Sequence, residues 1–199
     1  MSRIKKVLVK TFIVLGIIII GLGCGSENIY TEVEIDASED QVWAILSDLE
    51  AYKEWNPFMQ EALGELVVGE RLHMRLHNES LTLDPFEPTI LQVIPGKEIN
   101  WLGRVANIPR LFDGHHHLVI EPQPNGGVKF IQYEQFNGII VSLTKLFQKQ
   151  LFVDTEQGFI KMNHALKSKA EGLSGDHKKE ESVIANPPSN GRILSLFRV

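Results

Sequence analysis

The sequence contains one cysteine, Cys24, among its 199 residues. A single cysteine excludes an internal disulfide framework and a cysteine-rich zinc site. The formal net charge of −5 gives no concentrated basic surface for phosphate groups, so we expect no nucleic-acid partner. The glycine-rich patterns GxGxxG and GKS or GKT, which bind nucleotide phosphates, are also missing. No cofactor is therefore predicted from a motif.

The first 25 residues have the layout of an export signal. Basic residues precede an apolar run from Thr11 to Gly23, which ends at Cys24. Gly21-Leu22-Gly23-Cys24 resembles a bacterial lipobox, in which the cysteine is lipidated after cleavage, but Gly21 stands where an aliphatic residue is usual. The alternative is an uncleaved membrane anchor that begins at Val7. Both interpretations place the protein in the cell envelope, exported or held at a membrane through its N-terminus.

The residues that follow predict an α+β domain with two short helices after its first strand. Ile29–Ala37 alternates as a β-strand, and Ser38 with Gln41 forms a capping box that starts a helix. A second helical turn spans Ala51 to Trp55. Short alternating runs separated by turn residues then predict a curved antiparallel sheet. Its predicted strands are Met59–Leu66, Arg71–His77, Pro88–Ile94, Glu98–Leu102, Phe112–Pro122 and Val128–Asn137.

A long amphipathic helix is predicted from Ser142 to Glu171. At about 100° per residue, its inner stripe consists of Thr144, Gln148, Leu151, Phe152, Thr155, Phe159, Met162 and Leu166. A helix of this length can lie across a whole sheet, and a curved sheet wrapped around it leaves an apolar cavity between them. Beyond Glu171 the composition is rich in Gly, Ser, Lys, Glu and Pro, so residues 172–199 are predicted to be a disordered tail.

Several short motifs resemble the SRPBCC superfamily, the START-like or pollen-allergen-like helix-grip proteins. They are Ile35-Asp36-Ala37-Ser38 with Val42-Trp43, Tyr52 with Trp55-Asn56-Pro57-Phe58, Trp101, Phe112-Asp113-Gly114 with His116, and Glu134-Gln135-Phe136-Asn137-Gly138. The resemblance implies a helix-grip domain over residues 26–171 with a cavity for an apolar ligand. The superfamily includes polyketide cyclases and lipid-transport proteins. It has no shared catalytic set, so the resemblance implies no particular reaction.

His116 and Glu134 are the candidate catalytic residues. On a strand His115 and His117 share one face, and His116 shares the other with Leu118. Because that second face is the more apolar one, His116 is expected to point towards the cavity. Three consecutive strand positions cannot all bind one metal ion, so no metal site is predicted. Glu134 lies on the neighbouring strand, across the hairpin closed by Asn125-Gly126. The pair is either a general acid–base or ligand-orienting pair, or a structural ion pair. No nucleophile accompanies it in a recognisable motif.

The sequence supports three hypotheses for function. The first is binding of a hydrophobic small molecule or lipid, with transport of that ligand as an extension. The second is a cyclase or hydrolase that uses His116 and Glu134. The third is an envelope interaction module that works through Leu146, Val153 and Ile160 or through residues 193–199. For the first, the candidate binding residues are Trp55, Phe58, Trp101, His116, Leu118, Gln132, Glu134, Phe136, Gln148, Phe152 and Phe159, with core packing as the alternative for the tryptophans.

Overall fold

The computed structural model describes residues 5, 25–77, 82–124 and 126–185, with the backbone alone at residue 84 and over 173–185. The strands are β1 (Gly25–Ile35), β2 (Met59–Leu63), β3 (His73–His77), β4 (Thr82–Phe86), β5 (Thr89–Ile94), β6 (Glu98–Arg104), β7 (Asp113–Pro122) and β8 (Val128–Gly138). The helices are α1 (Glu39–Ser47), α2 (Tyr52–Trp55), α3 (Ile139–Phe147) and α4 (Gln150–Ala185). The predicted α+β helix-grip architecture is confirmed.

The strands form two antiparallel sheets that continue one another. The larger sheet has five strands in the order β1-β8-β7-β6-β5, and the smaller has three in the order β2-β3-β4. Arg71 and Thr89 form an isolated bridge between them. Leu72 N–H also donates to Pro88 O at 3.0 Å, and Ile90 N–H donates to Glu70 O at 2.9 Å. The backbone is therefore hydrogen-bonded across the join, and the strands wrap as one curved layer.

The structure contains one strand that was not predicted and confirms one predicted helix start. β4 was missed because Pro85 lies inside it, and proline is tolerated only at a sheet edge, which is where β4 lies. At α1 the Ser38 hydroxyl accepts from Gln41 N–H, and the Gln41 side chain accepts from Ser38 N–H, as the capping box predicted.

The prediction of one continuous helix from Ser142 to Glu171 is wrong. The chain forms two helices that are broken at Gln148, whose backbone has φ −139° and ψ 42°. α3 crosses the end of the sheet, where the Ser142 backbone lies against Gly25, whereas α4 lies along β1. The helical propensity of Lys145–Gln150 favours continuation, but the change of direction that packing requires overrides it.

Helix α4 also extends beyond Glu171, the predicted end, to Ala185. Its last residue precedes Asn186 and Pro187, and a residue before proline is disfavoured in a helix. Cys24, the rest of residues 1–24 except Lys5, and residues 186–199 lie outside the described residues. Lipidation, anchoring and disorder of residues 186–199 therefore stay predictions, whereas the prediction of disorder is wrong for residues 172–185, whose backbone is helical. Within the described ranges, no helix combines the length and apolar character that a membrane crossing requires.

The core lies between α4 and the inner face of the larger sheet. Phe159, Met162 and Leu166 of α4 are completely buried. Phe58, which follows α2, packs edge-on against Phe159 with 5.3 Å between ring centroids. Gly158 makes this approach possible, because a Cβ at that position would collide with the Phe58 ring.

We predict that Gly158→Ala destabilises the domain, although alanine is the better helix former. The new methyl group overpacks the Phe58 contact, and such overpacking costs about 1–3 kcal/mol. Gly172→Ala is the matched control, because Gly172 is exposed and a Cβ there meets nothing within 4 Å. It should raise stability by about 0.5–1 kcal/mol. Urea denaturation measures both values, and an equal gain in the two variants would contradict the proposed contact.

Candidate functional site

The three consecutive histidines divide between the two faces of β7 as predicted. His116 is buried with Leu118 and Ile120 on the inner face, whereas His115 and His117 are half-buried on the outer face. On that outer face His117 Nδ1 lies 2.8 Å from Glu98 Oε1, and its ring stacks on Tyr133 at 4.2 Å. His117 therefore has its own partners, and only His116 belongs to the interior.

Aromatic rings hold the His116 imidazole from two sides. Trp101 is its cross-strand neighbour on β6 and stacks parallel to it, with centroids 4.6 Å apart and 6° between planes. Phe159 of α4 meets it edge-on at 4.9 Å and 86°. These contacts leave His116 only 2% exposed, so its ring orientation is fixed by packing.

Both nitrogens of His116 have hydrogen-bond partners on β8. Nδ1 lies 3.3 Å from Glu134 Oε2, and Nε2 lies 3.2 Å from Gln132 Nε2. An ionised carboxylate only accepts and an amide nitrogen only donates. The arrangement therefore fits a neutral imidazole that donates from Nδ1 to Glu134 and accepts at Nε2 from Gln132. Gly114 gives Glu134 its room, because a Cβ there would overlap the Glu134 carboxylate.

A second polar group lies between β1 and α4. Asn163 Nδ2 donates to Thr31 Oγ1 at 3.0 Å, and Thr31 Oγ1 donates to the backbone oxygen of Gln132 at 3.2 Å. Within the described part of the chain, the side-chain oxygens Gln132 Oε1 and Asn163 Oδ1 are buried without a hydrogen-bond donor. Both amides are therefore half satisfied, in contrast to His116. Each of these oxygens could accept a hydrogen bond from an added donor.

The structure brings most of the predicted site residues together. Around His116 lie Trp101, Leu118, Gln132, Glu134 and Phe159, with Phe58 behind Phe159. Phe136 and Phe152 form a separate cluster with Phe112, where Phe136 lies 5.3 Å from Phe152 and 5.4 Å from Phe112.

Other predicted or relevant residues fall outside that arrangement. Gln148 does not reach the interior, because it is exposed at the helix break. Trp55 is half-buried and packs edge-on against Tyr52. Thr31 and Asn163 were not among the predicted site residues. Asn163 lies on the flank of the predicted helix that carries Lys145, Lys149, Glu156 and Lys167, and these charged neighbours indicated that the flank faces solvent. For Thr31, the alternation of β1 did indicate an inward-facing side chain.

A groove of about 350 Å³ opens at the junction of α3 and α4. It is lined by Glu27, Asn28, Ile29, Lys145, Lys149, Phe152, Val153 and Glu156. Ile29 and Phe152 are its buried members, and Ile29 pairs across strands with Glu134. The groove therefore ends one residue layer from the polar cluster. A second, more open groove of about 550 Å³ lies beside Trp43 and Leu66, away from this cluster.

The sequence matches the model of a protein family over residues 26–171, more than half of the chain. That family is described as polyketide cyclase / dehydrase and lipid transport. The chain belongs to this family. The match agrees with the resemblance of the sequence motifs to the SRPBCC superfamily. A comparison with curated proteins found no match.

Solved structures share the fold at low sequence identity. The Zhui aromatase/cyclase from a Streptomyces species has a TM-score of 0.59 and 13% identity, with 74% of this chain and 94% of that chain covered. Norcoclaurine synthase from Thalictrum flavum, in complex with dopamine and hydroxybenzaldehyde, has a TM-score of 0.56 and 13% identity, covering 74% and 87%. The di-domain ARO/CYC StfQ of the steffimycin pathway has a TM-score of 0.56 and 14% identity, and the match covers 75% of this chain but only 52% of StfQ. At these identities the likeness establishes the fold alone.

We predict that Glu134→Leu destabilises the protein more than Glu134→Gln. Leucine leaves the buried His116 Nδ1 without an acceptor, which costs about 1–3 kcal/mol, whereas the glutamine oxygen can still accept from it. The two free energies of unfolding can be compared by urea titration. Equal losses would mean that the His116–Glu134 contact contributes nothing to stability.

Proposed function

We propose that the domain binds a hydrophobic small molecule or lipid between α4 and the five-stranded sheet, and that it can carry such a ligand. The observation that supports this most is the pair of buried acceptors, Gln132 Oε1 and Asn163 Oδ1, without a donor among the described residues. An unpaired buried polar group costs about 1–3 kcal/mol. A ligand that supplies a donor removes this cost, so the interior is complementary to such a ligand.

The surroundings restrict the chemistry of the ligand. Its polar end needs a hydroxyl or an N–H group, because both unpaired atoms are acceptors. The rest of it meets Leu118, Trp101 and Phe159, which are apolar or aromatic. Burial of apolar surface at about 25 cal/mol per Å² would supply most of the affinity, and the amides would set the orientation.

Access in this proposal runs through the groove at the junction of α3 and α4. The middle of α4 is held at the end of β1: Lys167 Nζ donates to Glu34 O at 2.6 Å, and Glu171 Oε1 accepts from the N–H of Asp36, the residue after β1, at 3.0 Å. The Asp36 N–H bond and Lys167 hold the pKa of Glu171 below its usual range, so this attachment is complete at neutral pH and weakens as the pH falls through that pKa. Movement at the Gln148 break is therefore the proposed way to open the interior.

We predict that Gln132→Met lowers ligand retention while it changes stability little. Methionine keeps the side-chain volume. Loss of the unpaired oxygen stabilises the protein, whereas loss of the donor to His116 destabilises it. The two effects offset one another, so the free energy of unfolding should change by less than about 1 kcal/mol. Loss of one hydrogen bond of about 1.4 kcal/mol corresponds to roughly tenfold weaker binding. Native mass spectrometry of the full chain, before and after organic extraction, measures the retained mass.

Thr144→Val is the matched control for this experiment. Thr144 is also buried, but its hydroxyl is on α3 and bonds to Ile140 O at 3.0 Å. Its replacement should leave ligand retention unchanged. A wild-type chain that carries no extractable mass after incubation with a total lipid extract, or equal retention in Gln132→Met, would refute the binding proposal.

The second candidate function is acid–base catalysis on the bound molecule, and the His116 geometry is the observation that favours it. Glu134 holds Nδ1–H, which leaves Nε2 as the basic nitrogen of the ring. That nitrogen already accepts from Gln132. A ligand hydroxyl would have to replace the amide before His116 could take its proton.

The two functions predict different bound molecules in Glu134→Gln. A binder holds the same compound in the wild type and the variant, with at most a change in amount. An acid–base enzyme accumulates an unconverted compound of different mass in the variant, because the amide cannot support the imidazolium that forms. Mass analysis of the extracted compounds distinguishes the two outcomes.

A further inference from the structure

We propose that the end of the domain formed by α3 and the loop 105–110 docks on the surface of a phospholipid bilayer. This inference is independent of the binding proposal, because it rests on exposed side chains and on where the chain enters the domain. We call this end the α3 end.

Helix α3 exposes apolar side chains in its last turn. Its buried residues are Val141 and Thr144. At about 100° per residue, an arc of about 120° carries Ile139, Ile140, Leu143, Leu146 and Phe147, of which the first three are half-buried and the last two are exposed. Leu146 is 64% exposed and Phe147 is 75% exposed. A helix with this apolar side in water is unfavourable, whereas the same helix suits a bilayer interface.

The loop between β6 and β7 adds apolar side chains beside the start of α3. Ile139 N–H donates to Arg110 O at 3.1 Å, and Ile140 N–H donates to Leu111 O at 3.0 Å, so the loop is hydrogen-bonded to the start of the helix. Val105 is 48% exposed and Ile108 is 52% exposed. Exposed apolar side chains therefore occur on both elements of the α3 end.

The position of Gly25 is the argument for a bilayer as the partner. β1 begins at Gly25, which pairs with Gly138 and lies against Ser142 of α3. In the sequence only Cys24 separates it from the apolar run Thr11–Gly23. One residue spans at most about 3.6 Å, so a membrane position for that run brings the α3 end to the bilayer surface. A protein partner or a second copy of this chain would have no such link to Gly25.

Charge makes a smaller contribution at this end. Lys145 pairs with Glu27 at 2.7 Å, and Arg104 with Asp113 at 3.5 Å. Lys149 and Arg110 are exposed, and Glu156 is exposed beside Lys149 in the groove. Since the charges nearly balance, insertion of Phe147 and Leu146 drives the docking, and anionic lipid should strengthen it only slightly.

The test uses tryptophan quenching by brominated phospholipids in the full chain. Phe147→Trp places a reporter on the α3 end. Ile94→Trp is the matched control, because Ile94 is 37% exposed at the opposite end of the sheet, near the β5–β6 turn. Each variant is reconstituted into phosphatidylcholine vesicles with and without 30% phosphatidylglycerol, and the emission of the parent chain with Trp43, Trp55 and Trp101 is subtracted.

The expected result is at least twofold stronger quenching of the added tryptophan at position 147 than at position 94, with a blue shift in its emission. Equal quenching at the two positions would overturn the proposal. A blue shift at position 147 in detergent alone that grows with protein concentration would also overturn it, since a second copy would then cover this face.

Discussion

The packing of α4 on the inner face of the larger sheet is the interaction on which the rest of the structure depends. Phe159 belongs at once to the core and to the site, since it contacts both Phe58 and His116. The curved sheet can surround only one helix, and the smaller sheet continues the wrap through the bridge of Arg71 and Thr89. Because the same contact closes the interior, any ligand must displace part of the packing that stabilises the fold.

Polar side chains in this interior are not equivalent. His116 is satisfied at both nitrogens and stacked on Trp101, which is what a structural residue requires. The amides of Gln132 and Asn163 each keep an unpaired oxygen. The amide nitrogens have structural partners, since Gln132 donates to His116 and Asn163 donates to Thr31, but stability does not explain the two unpaired oxygens. A ligand bound between the sheet and α4, as proposed above, would account for these two oxygens, because it would supply the missing donors.

The predictions from sequence succeeded where a local pattern had one physical meaning. Strict alternation placed His116 and Glu134 on the inner face of neighbouring strands, and the structure pairs them directly across β7 and β8. The Ser38–Gln41 capping box fixed the start of α1, because both of its hydrogen bonds lie within four residues.

The predictions failed where long-range packing decided the outcome. Nothing in the local sequence around Gln148 breaks a helix, and the break comes from the turn between the end of the sheet and its face. Asn163 is polar by composition and buried only because Thr31, 132 residues away, offers it a partner. A helical period assigns a residue to a flank, but it cannot show how far the sheet curves around that flank.

The two proposals meet at the junction of α3 and α4. The groove there ends at Ile29 and Phe152, and the exposed side of α3 adjoins it. For an apolar ligand, transfer through water costs about 0.8 kcal/mol for each CH₂ group exposed. A mouth held at a bilayer surface would avoid most of that cost. Because Lys167 and Glu171 hold the middle of α4 to the end of β1 and the residue after it, the junction can open towards the lipid while the sheet and its polar cluster stay in place.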